Sequence, residues 1–146
     1  MFKITTDALD PRSLEQLLVT PEDGAVVTFQ GVVRLLSRGK NVSYLEYDAY
    51  APMAEKMMAQ IAQEVAQRWA IQHVGIWHRT GRLEIGETSM VVVVASPHRK
   101  EGFEACRYIV DQVKTIVPIW KKEVWEDGES WVEGDVLVSE RGAGGG

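Results

Sequence analysis

With 146 residues, 45% of them hydrophobic and 25% charged, the chain can bury one substantial core and not comfortably two. Sixteen Lys and Arg against twenty-one Asp and Glu leave a formal charge of -5, a field that repels nucleic acid and anionic membrane surfaces, so a bound anion needs a local cationic pocket. The N-terminus "MFKITTDALD" lacks the apolar run of a signal peptide, no stretch of about 18 uncharged apolar residues occurs, and the lone Cys106 cannot close an internal disulfide. A cytoplasmic protein that engages neither nucleic acid nor membrane is expected.

Asp10 before Pro11 predicts an N-cap with proline at the first helical position, and Leu14, Leu17 and Leu18 fall on one side of the short helix that follows. "GAVVTFQGVV" reads as a buried strand in which Gly31 marks a bulge or a close approach. "RLLSRGKN" is a loop bearing Arg34, Arg38 and Lys40, and "VSYLEYDAY" a strand whose alternation is only partly clean. Pro52 opens a long helix to Ala70, with Met53, Met57, Ile61, Val65 and Trp69 expected on its buried face as ordinary packing. "IQHVGIWHR", "GRLEIGE" and "TSMVVVVAS" are strands spaced too closely for helical crossovers, which favours antiparallel pairing. A second long helix is predicted from Pro97 to about Ile116, burying Phe103, Cys106, Val110, Val113 and Val117. "IWKKEVWEDGESWVE" then makes two strands about an Asp-Gly turn, and a glycine-rich tail closes the sequence. Residues 1–141 are read as one catalytic domain and 142–146 as the tail.

Two segments stand out chemically. In "ASPHRK", Ser96 as cap and Pro97 at the first position put His98, Arg99 and Lys100 in a first turn whose dipole disfavours cations, so an anion is expected among them; pairing with Glu101 or Glu104 is the alternative. In "KTIVPIWKKE", Lys114 sits at the end of the helix, and Lys121 and Lys122 follow Pro118 and Trp120. Either Lys114 pairs with Asp111 one turn back, or Lys114 and Lys121 converge with Arg34 and Arg99 on one site, where crowded charge lowers a lysine's pKa toward catalytic use. His73 and His78 leave opposite faces of one strand, so no metal cluster is expected, and Cys106 on an apolar stripe is a poor nucleophile.

"GVVR", "YLEYDAYAPMAEKM", "HRTGRLEIGETSMVVVVASPHR", "FEACRYIVDQVKT" and "VPIWKKE", in this order between about Gly24 and Trp131, resemble the large, catalytic subunit of molybdopterin synthase. The resemblance implies an α/β hammerhead with mainly antiparallel strands, two long helices and a small additional antiparallel sheet. It implies a sulfurtransferase of molybdenum cofactor biosynthesis, without cofactor or metal. Such an enzyme converts cyclic pyranopterin monophosphate to the dithiolene of molybdopterin. Its sulfur comes from the C-terminal Gly-Gly thiocarboxylate of a small ubiquitin-like subunit, in a heterotetramer built on a homodimer of large subunits. Carried over by motif, the substrate-binding residues are Val32, Val33, Arg34, His98, Arg99, Lys114, Lys121, Lys122 and Glu123, with Lys114 and Lys121 catalytic. Leu35 and Leu36 depart from the polar loop expected after Arg34. The tail "GAGGG" is expected to be disordered or, alternatively, to occupy the groove meant for the partner's tail. A non-catalytic dimeric module binding a phosphorylated ligand or a ubiquitin-like tail is the competing reading.

Overall fold

The computed structural model describes residues 1–133 and 136–140, with side chains through Val132. A four-stranded sheet has the order β1-β5-β7-β2, from β1 (Phe2–Thr5), β2 (Ala25–Val32), β5 (His73–Arg79) and β7 (Thr88–Ser96). A six-stranded sheet contains β3 (Leu36–Ser37), β4 (Lys40–Ala49), β6 (Gly81–Glu84), β8 (Ile119–Trp125), β9 (Gly128–Glu133) and β10 (Val136–Glu140). Helices α1 (Pro11–Leu18), α2 (Ala51–Trp69) and α3 (Arg99–Ile116) complete the fold. The mainly antiparallel α+β architecture is the one expected, but the second sheet is the larger of the two. One pair among the described residues is parallel: β1, a four-residue alternation of Phe2, Lys3, Ile4 and Thr5 that the sequence reading passed over, lies along β5 at the sheet edge.

Hydrophobic burial explains the layering. On one face of the four-stranded sheet Val74, Ile76, Met90, Val92 and Val94 pack against Ala54, Met58, Ile61 and Val65 of α2 and against Ala105, Ile109 and Val113 of α3. On the other face α1 lays Leu14 and Leu18 onto Trp77, Val91 and Val93. Both faces of the sheet are covered, which is why β7 is nearly continuous in β-branched residues. Asp10 caps α1 as anticipated, accepting from the Arg12 amide at 3.1 Å.

The two long helices are rotated slightly from the predicted stripes. Met53 is exposed and Ala54 and Met58 take the buried positions; Phe103 is exposed, and Gly102 and Ala105 turn inward. Small residues win because α3 lies close on the sheet: a Cβ on Gly102 would meet Ser96 Oγ at 2.8 Å. The helix also begins two residues later than predicted. Ser96 donates its hydroxyl to the His98 carbonyl at 2.8 Å instead of capping amides, so His98 becomes the N-cap. In β4 the imperfect alternation has a cause in a register shift between Val42 and Tyr44, which lets Val42 and Leu45 both face inward. Gly24 tethers the loop before α3: its amide donates to the Ser96 carbonyl at 3.0 Å, and a Cβ there would lie 2.5 Å from the Pro97 carbonyl oxygen. Gly24→Ala must displace backbone, so a loss of about 1 to 3 kcal/mol is expected in a urea melt, whereas Gly86→Ala, in open space, should cost only its positive-φ strain.

Candidate active site

Between the end of the four-stranded sheet and the inner face of the six-stranded one lies a cavity of about 570 Å³, within the range of small-molecule sites. Pleating decides what faces it. Along β8, Lys121 and Glu123 point inward beside Tyr47 and Leu45 of β4, while Lys122 points outward beside Glu46. At the end of the other sheet, β5, β7 and β2 align His78, Met90 and Gly31 in one row. A register shift between Gly31 and Val32 bears out the expected bulge, and the chain beyond it carries Val32, Val33 and Arg34 along the cavity wall. Lys114 joins them from the last turn of α3.

Arg34, Lys114 and Lys121 therefore gather as anticipated, with Val32, Val33 and Glu123. The pairing of Lys114 with Asp111 does not form; Asp111 is approached instead by Arg107, at 3.9 Å. Among the described residues neither Lys114 nor Arg34 has an ion-pair partner. Glu123, almost fully buried, accepts from Ser37 Oγ at 2.9 Å, Arg38 Nη1 at 3.3 Å and Trp125 Nε1 at 3.2 Å, and lies 4.0 Å from Lys121 Nζ. Its carboxylate is spent on holding cations and a hairpin in place. Arg38 was legible only as one basic loop residue among several. Its position follows from a two-residue turn in which Arg38 and Gly39 both have positive φ, the geometry that matches strand twist in a tight hairpin.

Three expected substrate contacts lie elsewhere. Lys122 is on the outer face, paired with Glu46 at 2.8 Å and Glu129 at 3.1 Å, and those bonds hold its ammonium above the usual lysine range. His98 and Arg99 line a separate hollow with Gly24, Pro97, Lys100 and Glu101. Fifteen residues of helix at about 1.5 Å each put Arg99 some 22 Å from Lys114, so one protomer cannot bring them together. The pairing of these cations with Glu101 or Glu104 is likewise not formed.

Two cavity residues escaped the sequence reading. Tyr47 and His78 meet edge to face at 4.9 Å. Burial pushes the Tyr47 phenol upward, with a hydrogen bond to Ser89 acting against it and the charge of Glu123 acting with it. Burial holds His78 down at about 4, against a smaller opposite effect from its bond to the Arg79 carbonyl. Cys106 is buried under α3, its thiol pushed up to about 11 by burial, which removes it as a nucleophile at neutral pH.

The family model for MoaE protein matches residues 4–116. The chain belongs to the MoaE family. A relative from Halalkalibacterium halodurans named molybdopterin synthase catalytic subunit is 54% identical over 82% of this chain and 76% of its own length. One of the same name from Bacillus subtilis is 46% identical over 93% and 86%. The crystal structure of molybdopterin synthase from Staphylococcus aureus superposes with a TM-score of 0.87 at 42% identity, covering 90% of this chain and 96% of that one. The MoaE match reaches through α3 to Ile116, so Arg34 and Lys114 fall inside it and Lys121 and Glu123 just beyond.

Acid should report on His78. The unfolded histidine takes up a proton near 6.5 and the folded one only near 4, so stability is lost as pH falls through that window, by about 3 kcal/mol. Urea midpoints at pH 7 and pH 4.5 should converge for His78→Phe relative to the wild type; an unchanged pH dependence in the variant would assign the effect to other groups.

Proposed function

We propose that this chain is the catalytic subunit of a molybdopterin synthase: a sulfurtransferase that adds dithiolene sulfur to cyclic pyranopterin monophosphate. The observation that carries the reading is the convergence of Arg34, Lys114 and Lys121 on one cavity in a protein of net charge -5. Arg34 and Lys114, without ion-pair partners among the described residues, suit an anionic substrate, and charge-assisted bonds to a phosphate contribute roughly 1.5 to 3 kcal/mol each. Relatives named as the catalytic subunit favour an enzyme over a passive phosphate-binding module.

In this mechanism Arg34 holds the cyclic phosphate at the rim. Lys114, without an ion-pair partner among the described residues, activates the side-chain carbon of the pterin toward the incoming thiocarboxylate sulfur. A carbon–sulfur bond forms as a carbon–oxygen bond of the substrate side chain breaks, the departing oxygen taking a proton; water then cleaves the acyl–sulfur bond of the resulting thioester, which leaves the sulfur on the pterin as a thiol and the carrier as a glycine carboxylate. Lys121, oriented by Glu123, stabilises the negative charge that develops on the acyl oxygen. The sulfur donor is a small ubiquitin-like subunit whose C-terminal Gly-Gly thiocarboxylate enters the cavity, and two copies of this chain form the centre of a heterotetramer. The catalytic domain is residues 1–141; tail residues Gly142–Gly146 lie outside those described. No helix among the described residues is long and apolar enough to cross a membrane, and a cytoplasmic location is part of the reading.

His98 and Arg99 keep a place here only across the dimer interface, from one copy to the cavity of the other. Mixing Arg99→Ala with Lys114→Ala chains should then restore partial turnover, because mixed dimers contain one intact cavity. Absence of recovery in verified mixed dimers removes both residues from the site.

Lys114→Ala should abolish dithiolene formation, read by mass spectrometry after mixing with thiocarboxylated carrier and pyranopterin phosphate, while the chain still dimerises and binds its carrier. Normal turnover in that variant would discard the assignment. Between adjacent lysines the expected contrast is sharp: Lys121→Ala loses kcat by about 100-fold or more, in the range of lost oxyanion stabilisation. Lys122→Ala, on the outer face, stays close to wild type.

A further inference from the structure

The cavity has a second end, chemically unlike its cationic rim. His78 is 5% exposed, yet it lines the cavity. Its Nδ1 lies 2.8 Å from the Arg79 carbonyl oxygen, which only accepts, so Nδ1 carries the proton and Nε2 presents a lone pair. Among the described residues Nε2 has no hydrogen-bond partner, and it is not sealed in the protein, so it opens onto the cavity.

The ring and hydroxyl nearest it, Tyr47 and Ser89, are uncharged, while Lys121 stands across the strand pair from Tyr47. Tyr47 packs against the imidazole edge to face, with its hydroxyl hydrogen-bonded to Ser89. Ser89 Oγ donates to the Gly31 carbonyl at 3.1 Å. What faces a ligand is an acceptor, His78 Nε2, beside the Tyr47 hydroxyl and an aromatic face. Gly31, opposite, leaves the wall flat, since a Cβ there would stand 3.1 Å from Ser89 Oγ.

We propose that His78, Tyr47 and Ser89 form a subsite for an uncharged, planar nitrogen heterocycle presenting N–H groups, separate from the phosphate contacts at the rim. The inference rests on the functional reading above and deepens it: the heterocycle is the pterin, and His78 orients it so that its side-chain carbons meet Lys114 and Lys121. No proton moves at His78; it is a positioning residue that accepts a hydrogen bond.

The test uses the purified full chain with two probes, 6-hydroxymethylpterin, which lacks phosphate, and inorganic phosphate. Calorimetry should show His78→Phe weakening the pterin by roughly tenfold or more, the loss of about one buried hydrogen bond, with phosphate affinity unchanged; Arg34→Ala should do the reverse. Should His78→Phe fail to fold, the wild-type chain labelled with ¹⁵N-histidine decides. Only three histidines are present, and saturating pterin must shift the Nε2 resonance of the neutral His78 while phosphate does not. An unmoved resonance at saturation, or undiminished pterin affinity in folded His78→Phe, overturns the subsite. If dithiolene product still forms with the wild type, only the subsite falls; if none forms, the enzymatic reading falls with it.

Discussion

Cations gathered on the wall of a half-buried cavity repel one another, and Glu123 is what makes the gathering tolerable. One carboxylate, held by Ser37 and Trp125, faces Arg38 from the hairpin at 3.3 Å and Lys121 from its own strand at 4.0 Å. Removing a buried partner of this kind leaves charge uncompensated, which is far costlier than losing a surface pair. It also explains a carboxylate in a site meant for an anion: its negative charge is consumed by neighbours and leaves Arg34 and Lys114 to meet the ligand.

The cavity exists because two sheets end against each other. Packing of α2 and α3 onto the four-stranded sheet fixes where α3 stops, and that stop delivers Lys114 to the rim and sends the chain directly into β8. Antiparallel pairing of β4 with β8 then sets Tyr47 opposite Lys121 and Leu45 opposite Glu123. A slip of one residue would turn Lys122 and Val124 inward in place of Lys121 and Glu123, and the site would lose the carboxylate that holds its cations. On the outer face the same register builds a ladder of Arg82, Glu84, Glu46, Lys122 and Glu129, so both sides of the strand resist that slip.

Much of this was legible beforehand. The proline starts of α1 and α2, the run of β-branched residues in β7, the bulge at Gly31 and the Asp-Gly turn are local matters of backbone chemistry, visible residue by residue. The stripes of α2 and α3 were displaced because periodicity marks where apolar residues recur, while the closeness of helix to sheet chooses Ala54, Gly102 and Ala105 over bulkier neighbours. Arg99 was grouped with Lys114 by charge and then by motif resemblance, and His98 by resemblance, neither of which carries distances; the length of one helix separates them.

By itself the sequence determined the class of fold, the family, and the need for a local cationic pocket in an acidic chain, since these follow from composition, motif order and net charge. Tertiary structure alone decided which of two adjacent lysines faces the cavity, that Glu123 serves the cations, and that His78 and Tyr47 line the same cavity. The reason is the same in each case. Strand pleat, pairing register and burial act between residues as far apart as Ser37 and Glu123, and no local pattern in the chain encodes such a meeting.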